Sequence, residues 1–600
     1  MVLGACLLGA RAEAAHFSCS SGEVLCLIAS IEQANANGQD NTITLAAGVY
    51  TLTTVNNDAD GPTGLPVVTS TLSITGAGAA LTSLERAQDA PAFRIIDVSA
   101  AGGLTLRRLT VAGGRSTLGS GVLASGTVSI TDSVVTNNGR GSLSHYGGGV
   151  AGGNVSVTRS TITGNFANQG GGGIYIAPDG SLTVENSSIT GNETFDGGGG
   201  VWFNSQGRAI VTDSIIANNV TYGSGGGFAI GSSGGEGGAS VTIRRSTISG
   251  NGNEADGGGI AVLSPSTVHI SDSAFVGNFA GSGSFGNGGA IYMGWGALTM
   301  VRSTVARNSV SEGYGGLYIA AGAAAAVRNS TLVGVPPRMQ VAPNNRFTAI
   351  FSAGTATLEN TIVAFNTPGE FHTPTDCPLL TSLGHNFIAE PQPCYVLQPT
   401  DLTGDPGLAA FIDPGRPGTP HYPLLPDSRA IDAGPKYWCG RTDQLGLARP
   451  IDGDGDGARA CDIGAIEFYP IVNDLVRLEG LSSTYVPPSP RLQTNPLTAG
   501  GEFQIAATFT NPGARDICHL AFDVIKLKGA TGDAPAVLTR RGDLLGREGI
   551  VVPATLARAQ EDLKTHQHEQ YQFSIGLSQV ESITFQVNVL GEATAGPCSP

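Results

Sequence analysis

Ser187-Ser188-Ile189-Thr190-Gly191-Asn192, followed by Gly198-Gly199-Gly200-Val201, is one copy of a phrase that returns between about residue 127 and residue 335. Its serine falls at 133, 160, 187, 214, 246, 273, 303 and 330, in steps of 27, 27, 27, 32, 27, 30 and 27. The asparagine five residues on keeps step at 138, 165, 192, 219, 251, 278 and 308. A fixed period of this kind means stacked units that each contact their neighbours, rather than one globular core. Each period holds segments such as Ser181-Leu182-Thr183-Val184, Ser188-Ile189-Thr190 and Gly173-Ile174-Tyr175-Ile176, which alternate with a period of two and so read as strands. Three short strands without a helix predict one turn of a right-handed parallel β-helix, an all-β solenoid.

Position by position, the repeats predict columns. Val135, Ile162, Ile189, Ile216, Ile248, Phe275, Val305 and Leu332 share one place and should stack as an inward apolar ladder. The asparagine column should mark a turn, with αL backbone and side-chain amides bonded between coils. The glycines before the third strand supply the φ > 0 that a sharp corner needs. Ahead of the serines stand Asp132, Arg159, Asn186, Asp213, Arg245, Asp272, Arg302 and Asn329. With strands about 4.8 Å apart, opposite charges become neighbours in an exposed ladder that fixes register.

Composition narrows the partners. A chain of 600 residues with 88 Gly and 13% charged residues suits a stack of thin coils followed by further domains. A net charge of -16 argues against nucleic acid or an anionic membrane as partner, and it repels an acidic polysaccharide unless a cation bridges the two. All four lysines, Lys436, Lys526, Lys528 and Lys564, lie beyond the repeats, which excludes a lysine base in the coils. Residues 1–15 are apolar and end in Ala12-Glu13-Ala14, the pattern of a cleaved export signal. No later run is long and apolar enough to predict a transmembrane segment. Eight cysteines follow residue 15 and fall into neighbouring pairs: Cys19 with Cys26, Cys377 with Cys394, Cys439 with Cys461, and Cys518 with Cys598. An even count without a C-x-x-C favours disulfides over a metal site.

The chain divides into 16–125, an N-terminal cap and first coils; 126–366, the repeats; 367–469, a closing segment; and 470–600, a β-sandwich of immunoglobulin-like type. Residues 24–37 place Leu27, Ile31 and Ala34 at helical spacing, as a helix capping the open end of the stack would. From Cys26 to Leu52 the sequence resembles the CSLREA-type N-terminal segment of secreted β-helix proteins. The repeats resemble those of polysaccharide lyases and of chlamydial polymorphic outer-membrane proteins, a likeness shared by enzymes and adhesins. Arg429-Ala430-Ile431-Asp432-Ala433-Gly434, Thr442-Asp443-Gln444, Ala448-Arg449-Pro450 and Cys461-Asp462-Ile463-Gly464-Ala465-Ile466-Glu467 resemble, in order, the choice-of-anchor Q domain. That resemblance implies a segment that ends a secreted β-helix. Alternating strands beyond residue 500 predict the sandwich.

Four features invite a functional reading. Asp452, Asp454 and Asp456, spaced by glycines, resemble the start of a calcium loop, which Asp462 or Glu467 would complete around a structural Ca2+; the alternative is a solvated acidic turn. Asp196 and Asp256 each precede a glycine run two turns apart, roughly 9.6 Å if in one column, near the upper limit for an inverting glycosidase pair. Polygalacturonase-type signatures are absent, so acidic residues that merely solubilise turns are the stronger reading. Arg541-Gly542-Asp543 spells an integrin-type tripeptide and reads as an exposed turn. On the third strand Tyr175, Trp202, Ala229, Ala261, Tyr292 and Tyr318 alternate with inward residues. They predict an outer strip with two aromatic pairs on a flat sheet, suited to the C–H faces of sugar rings. The functions consistent with all this are a carbohydrate-binding, adhesin-like surface protein, a polysaccharide-degrading lyase or glycoside hydrolase, and a stalk without ligand.

Overall fold

The computed structural model describes residues 14–487 except 38, 142–144, 232–236, 282–285, 312, 335–348, 365–379, 392–394 and 437–438, together with 501–513, 515–529, 536–538, 556–558, 568–577 and 583–594. The protein is a right-handed parallel β-helix followed by antiparallel sheets. It divides into two compact units, one of residues 1–210 and 216–240, the other of 211–215 and 241–600.

In the first unit the helix Val24–Asn37 buries Leu27, Ile31 and Ala34, the face that the spacing predicts. A disulfide joins Cys19 to Cys26. Strand His16–Cys19 pairs in parallel with Asn41–Leu45, which pairs with Thr71–Thr75, and that with Gly103–Arg107. Further on, the third strand of one coil runs directly into the first strand of the next, giving single bent strands such as Ile174–Glu185. A second sheet carries Val134–Thr136, Thr161–Thr163 and Ser188–Thr190. A third direction is set by the two-residue strands Phe166–Ala167, Glu193–Thr194 and Val220–Thr221. Those pairs are too short to show alternation, so the sequence pattern does not predict them.

The columns hold the coils together. Val135, Ile162, Ile189 and Ile216 are fully buried. Asn138, Asn165 and Asn192 each donate their backbone N–H and Nδ2 to Oδ1 of the next asparagine at 3.0–3.1 Å. The αL residue, however, is the one before each asparagine: Asn137, Gly164, Gly191 and Asn218. The asparagine itself turns inward, where a left-handed backbone would break its bonds to the coils above and below. Serines form a second internal ladder, with Ser133 and Ser160 donating N–H to Oγ of the following serine at 3.0 Å. Asp132 and Arg159 pair at 2.7 Å, half-exposed, and both have αL backbones. Gly199 is tightly enclosed, since a Cβ there would stand 2.4 Å from the Gly226 carbonyl oxygen.

The second unit repeats these devices, with asparagine bonds from Asn251 to Asn278 and Asn278 to Asn308 and ion pairs Asp213–Arg245 and Asp272–Arg302. Here the second sheet has a cover. Thr161 and Ser188 are half-buried in the first unit, but their counterparts Thr247, Thr304 and Thr331 are buried. Gly418 N–H donates to Thr247 Oγ1, Thr304 Oγ1 to Gln444 Oε1, and Ala465 N–H to Thr331 Oγ1, at 2.7–3.0 Å. The covering segment is braced by one buried cation. Arg449 lies 2.9 Å from Glu467 and donates to the Gly464 and Asp462 carbonyls. Burial pushes Asp443 up to about 7, although the Glu467 and Leu447 amides and Arg449 pull it down. Asp443, Gln444, Arg449 and residues 461–467 are therefore interior, facing each other and the coils, while Arg429 is exposed. A disulfide joins Cys439 to Cys461. Cys518 is buried and disulfide-bonded, while Cys377, Cys394, Cys598 and the Arg541-Gly542-Asp543 tripeptide lie outside the described residues. Beyond residue 476 come a four-stranded and a three-stranded antiparallel sheet.

Three substitutions rank these contacts. Ile189→Asp places an unpaired charge in the dry core and should cost more than about 3 kcal/mol. Asn192→Ala orphans the Asn165 amides and the Ile162 carbonyl, at about 1–3 kcal/mol for each group left unpaired. Asp213→Ala, at a partly exposed pair, should cost about 0–1 kcal/mol. Denaturant unfolding in which Asp213→Ala equals either interior change would invert the assignment of faces.

Candidate functional site

The outer strip of the third strand exists, but not as a flat exposed floor. Tyr175, Trp202 and Ala229 stand in register in the first unit, and Ala261, Tyr292 and Tyr318 in the second. Ala229 and Ala261 are fully buried. The corner glycines fold back on them: a Cβ at Gly225 or Gly257 would lie 2.8 Å from the Cα of Ala229 or Ala261. The turn approaches Trp202 and Tyr175 as closely, with a Cβ at Gly198 or Gly171 lying 2.8 or 2.9 Å from their Cα atoms, so it does not by itself select alanine. What remains is one aromatic cluster on each unit.

In the first unit Tyr146 joins the pair, with ring centroids 4.8 Å from Tyr175 and 5.7 Å from Trp202, while Tyr175 and Trp202 meet edge to face at 5.9 Å. Trp202 is half-buried. Its indole N–H donates to the Gly231 carbonyl at 2.8 Å, and its ring covers Gly170, where a Cβ would come within 1.7 Å. Its role is thus partly structural. Burial, then Tyr175 and Asp196, raise the Tyr146 hydroxyl pKa. Asp196 is exposed, beside a second aromatic row that the strand pattern missed: Phe166, Phe195 and Tyr222, at centroid spacings of 5.3 and 5.2 Å. A fixed offset behind the asparagine column is the signal for Phe195 and Tyr222, each three residues on.

In the second unit the rings stack face to face. Tyr292 and Tyr318 lie 5.5 Å apart with planes 10° from parallel, and Phe351, in register with Tyr318, continues the stack at 5.5 Å and 14°. Tyr314 packs on Phe351 at 3.7 Å. Asp256 accepts the backbone N–H and Nδ2 of Asn287 at Oδ1, at 2.8 and 3.3 Å. Burial raises its pKa against those bonds. Burial likewise raises both tyrosine hydroxyls, and Asp256 raises them further. Asp196 belongs to the first unit and Asp256 to the second, so each has its own aromatic neighbours. Trp295, about half exposed, lies over Gly322 and extends the apolar surface of this unit.

The acidic loop is closed by its own backbone. Asp452 accepts Gly455 and Gly457 N–H, Asp454 accepts Asp456 N–H, and Asp456 accepts Ala458 N–H, at 2.7–3.0 Å. The carboxylates brought together are Asp432, Asp452 and Asp454, with ligand oxygens within 4.8 Å of one another, a donor set that fits a hard cation. Asp456 and Asp462 are outside this group. Asp462 is buried and accepts the Asp432 and Phe468 amides, so it faces the interior. Asp432, which the spacing did not single out, holds the Gly453 and Asp454 amides at Oδ2.

Residues 94–275 match the family model described as a right-handed beta helix region. No curated protein matches the chain significantly. Among solved structures, the A-module of the mannuronan C-5 epimerase AlgE6 of Azotobacter vinelandii is similar over 64% of this chain and 92% of that one, at 14% identity and a TM-score of 0.29. A likeness at that level does not bear on what this chain binds.

Burial pushes Asp432 up to about 6, with the Asp454, Ala460 and Gly453 amides opposing. A folded pKa above the unfolded value near ~3.9 favours the folded state most below that value, and the contribution is lost as pH rises through about 6. In the absence of cations, the unfolding midpoint of wild type minus that of Asp432→Asn should therefore fall between pH 4 and pH 7. A difference that rises with pH would show that the carboxylate is stabilised as the anion.

Proposed function

We propose that this protein is exported and binds an extended polysaccharide on the outer face of its coils, as an adhesin does. The observation that carries the reading is the Tyr292–Tyr318–Phe351 stack, set in register by successive coils, with the bonded pair Asp256 and Asn287 on the coils of Ala261 and Tyr292. Sugar rings present apolar C–H faces to such rings, while their hydroxyls need nearby carboxylate and amide groups. Export is supported by the Cys19–Cys26 and Cys439–Cys461 disulfides. Among the described residues no helix is long and apolar enough to cross a membrane. Calcium at Asp432, Asp452 and Asp454 completes the proposal, in a structural role. A degrading activity is the second reading, favoured by Asp256, a half-buried carboxylate beside two tyrosines; release of reducing sugar or unsaturated uronate product, lost in Asp256→Asn, is its signature.

On a glycan array the protein should retain a polysaccharide, and Tyr318→Ala should lose most of that retention while keeping its unfolding midpoint within a few degrees. Tyr318 is the better probe than Trp202, whose removal also uncovers Gly170. Absence of any glycan signal from the parent protein, or full retention by Tyr318→Ala, contradicts the proposal. For the loop, chelator should lower the unfolding midpoint of wild type but not of Asp452→Asn; equal curves with and without chelator leave a self-closed acidic turn.

A further inference from the structure

The two-residue strands of the first unit present a small mixed face of their own. Phe166, Glu193 and Val220 stand in register as one outward column, with Ala167, Thr194 and Thr221 buried between the coils. Two residues on, the same three coils carry Asn168, Phe195 and Tyr222. Phe195 is 51% exposed, Tyr222 49% and Val220 47%, whereas Tyr175 and Trp202 on the long sheet are half-buried. The rings touch: Phe166 meets Phe195 edge to face at 5.3 Å, and Phe195 meets Tyr222 at 5.2 Å with planes 52° apart. Glu193 stands between Phe166 and Val220 in its column, and Asp196 follows Phe195 in the chain. Among the described residues neither carboxylate takes a hydrogen bond or an ion pair. The face also has ends. In the coil below, whose Asn138 carbonyl accepts the Phe166 N–H, the two places hold Gly139 and Gly141, and in the next repeat of the sequence they hold Gly252 and Glu254. Arg140, between the first two glycines, gives its Nε to the Gly164 carbonyl. Three coils about 4.8 Å apart and a two-residue step of about 3.3 Å per residue make the face roughly 10 Å by 7 Å.

Size and charge choose the occupant. A stable protein partner needs about 800 Å² on each side, while four partly exposed apolar side chains offer on the order of 300 Å². Two or three sugar rings match that area. Their C–H faces meet the aromatic rings, and their hydroxyls donate to the carboxylates of Glu193 and Asp196. A uronate or sulfated chain would set like charge against both carboxylates, and the net charge of -16 opposes it at longer range. Resting on the carbohydrate reading above, we propose that Phe195 and Tyr222 form a second glycan contact, on the short strands rather than the long sheet, which takes two or three units of a neutral chain. Being short, it is the weaker of the two contacts, and it persists when the second unit's stack is disabled.

The test is made on the full chain carrying Tyr318→Ala, by titration calorimetry with the β-1,4 and α-1,4 glucose hexamers and with a galacturonate hexamer. A neutral hexamer should bind, more weakly than to wild type, and the galacturonate hexamer should not. Adding Phe195→Leu, which keeps an apolar side chain against Phe166 but removes the ring, should weaken the neutral hexamer about tenfold or more and hold the unfolding midpoint within a few degrees. Tyr222→Ala should do the same. Unchanged affinity in both ring variants overturns the second contact, as does binding of neither neutral hexamer by Tyr318→Ala; in either case the carbohydrate reading stands if the wild type still retains a polysaccharide on the array, and falls with it if the array is blank. Tighter binding of the galacturonate hexamer overturns the assignment to a neutral chain.

Discussion

Everything in the coil region depends on a single requirement: each buried polar group at a corner must find its partner in the coil above or below, about 4.8 Å away. The asparagine column meets it by spending one side chain on several bonds. Asn192 donates N–H and Nδ2 to Asn219, donates Nδ2 to the Ile162 carbonyl, and accepts the Asn165 amides. No residue of another type offers a donor and an acceptor at that length. The requirement then dictates what surrounds it, namely an αL residue before the asparagine, a glycine corner after it, and serines repeating the same device at the other corner.

Because the interior is fixed in this way, the outer positions are free to vary. The two units use that freedom differently. The first clusters Tyr146, Tyr175 and Trp202 at tilted and edge-on angles, with Trp202 tied down by Gly231. The second stacks near-parallel rings, of which Tyr292 and Tyr318 are half-buried and Phe351 is buried. The covering segment, with its Arg449 network, lies on the second sheet and so leaves the aromatic strip of the long sheet uncovered by that segment.

The stacking and the inward ladders were legible because they repeat: eight apolar residues at one place in the period can hardly face water. The charge column was legible for the same reason, as alternating signs at a fixed step. Four things were not. The two-residue strands carry no alternation. The burial of Ala229 and Ala261 is not encoded in spacing. Asp432 joins Asp452 and Asp454 across about twenty residues and a disulfide-closed loop, so a motif search that stays within one loop picks Asp456 and Asp462 instead. Phe351 was missed because the period has already lapsed in the sequence before it, although its strand keeps register with Leu317–Arg328.

The central claim is that the Tyr292–Tyr318–Phe351 stack is where a sugar chain lies. Saturation-transfer NMR tests it directly, by irradiating aromatic protons of the full-length protein in the presence of an oligosaccharide retained on the array. The account predicts transfer concentrated on the ring C–H protons of the sugar, strongly reduced in Tyr318→Ala. Transfer of equal strength in Tyr318→Ala, or its loss only in Trp202→Ala, would contradict it.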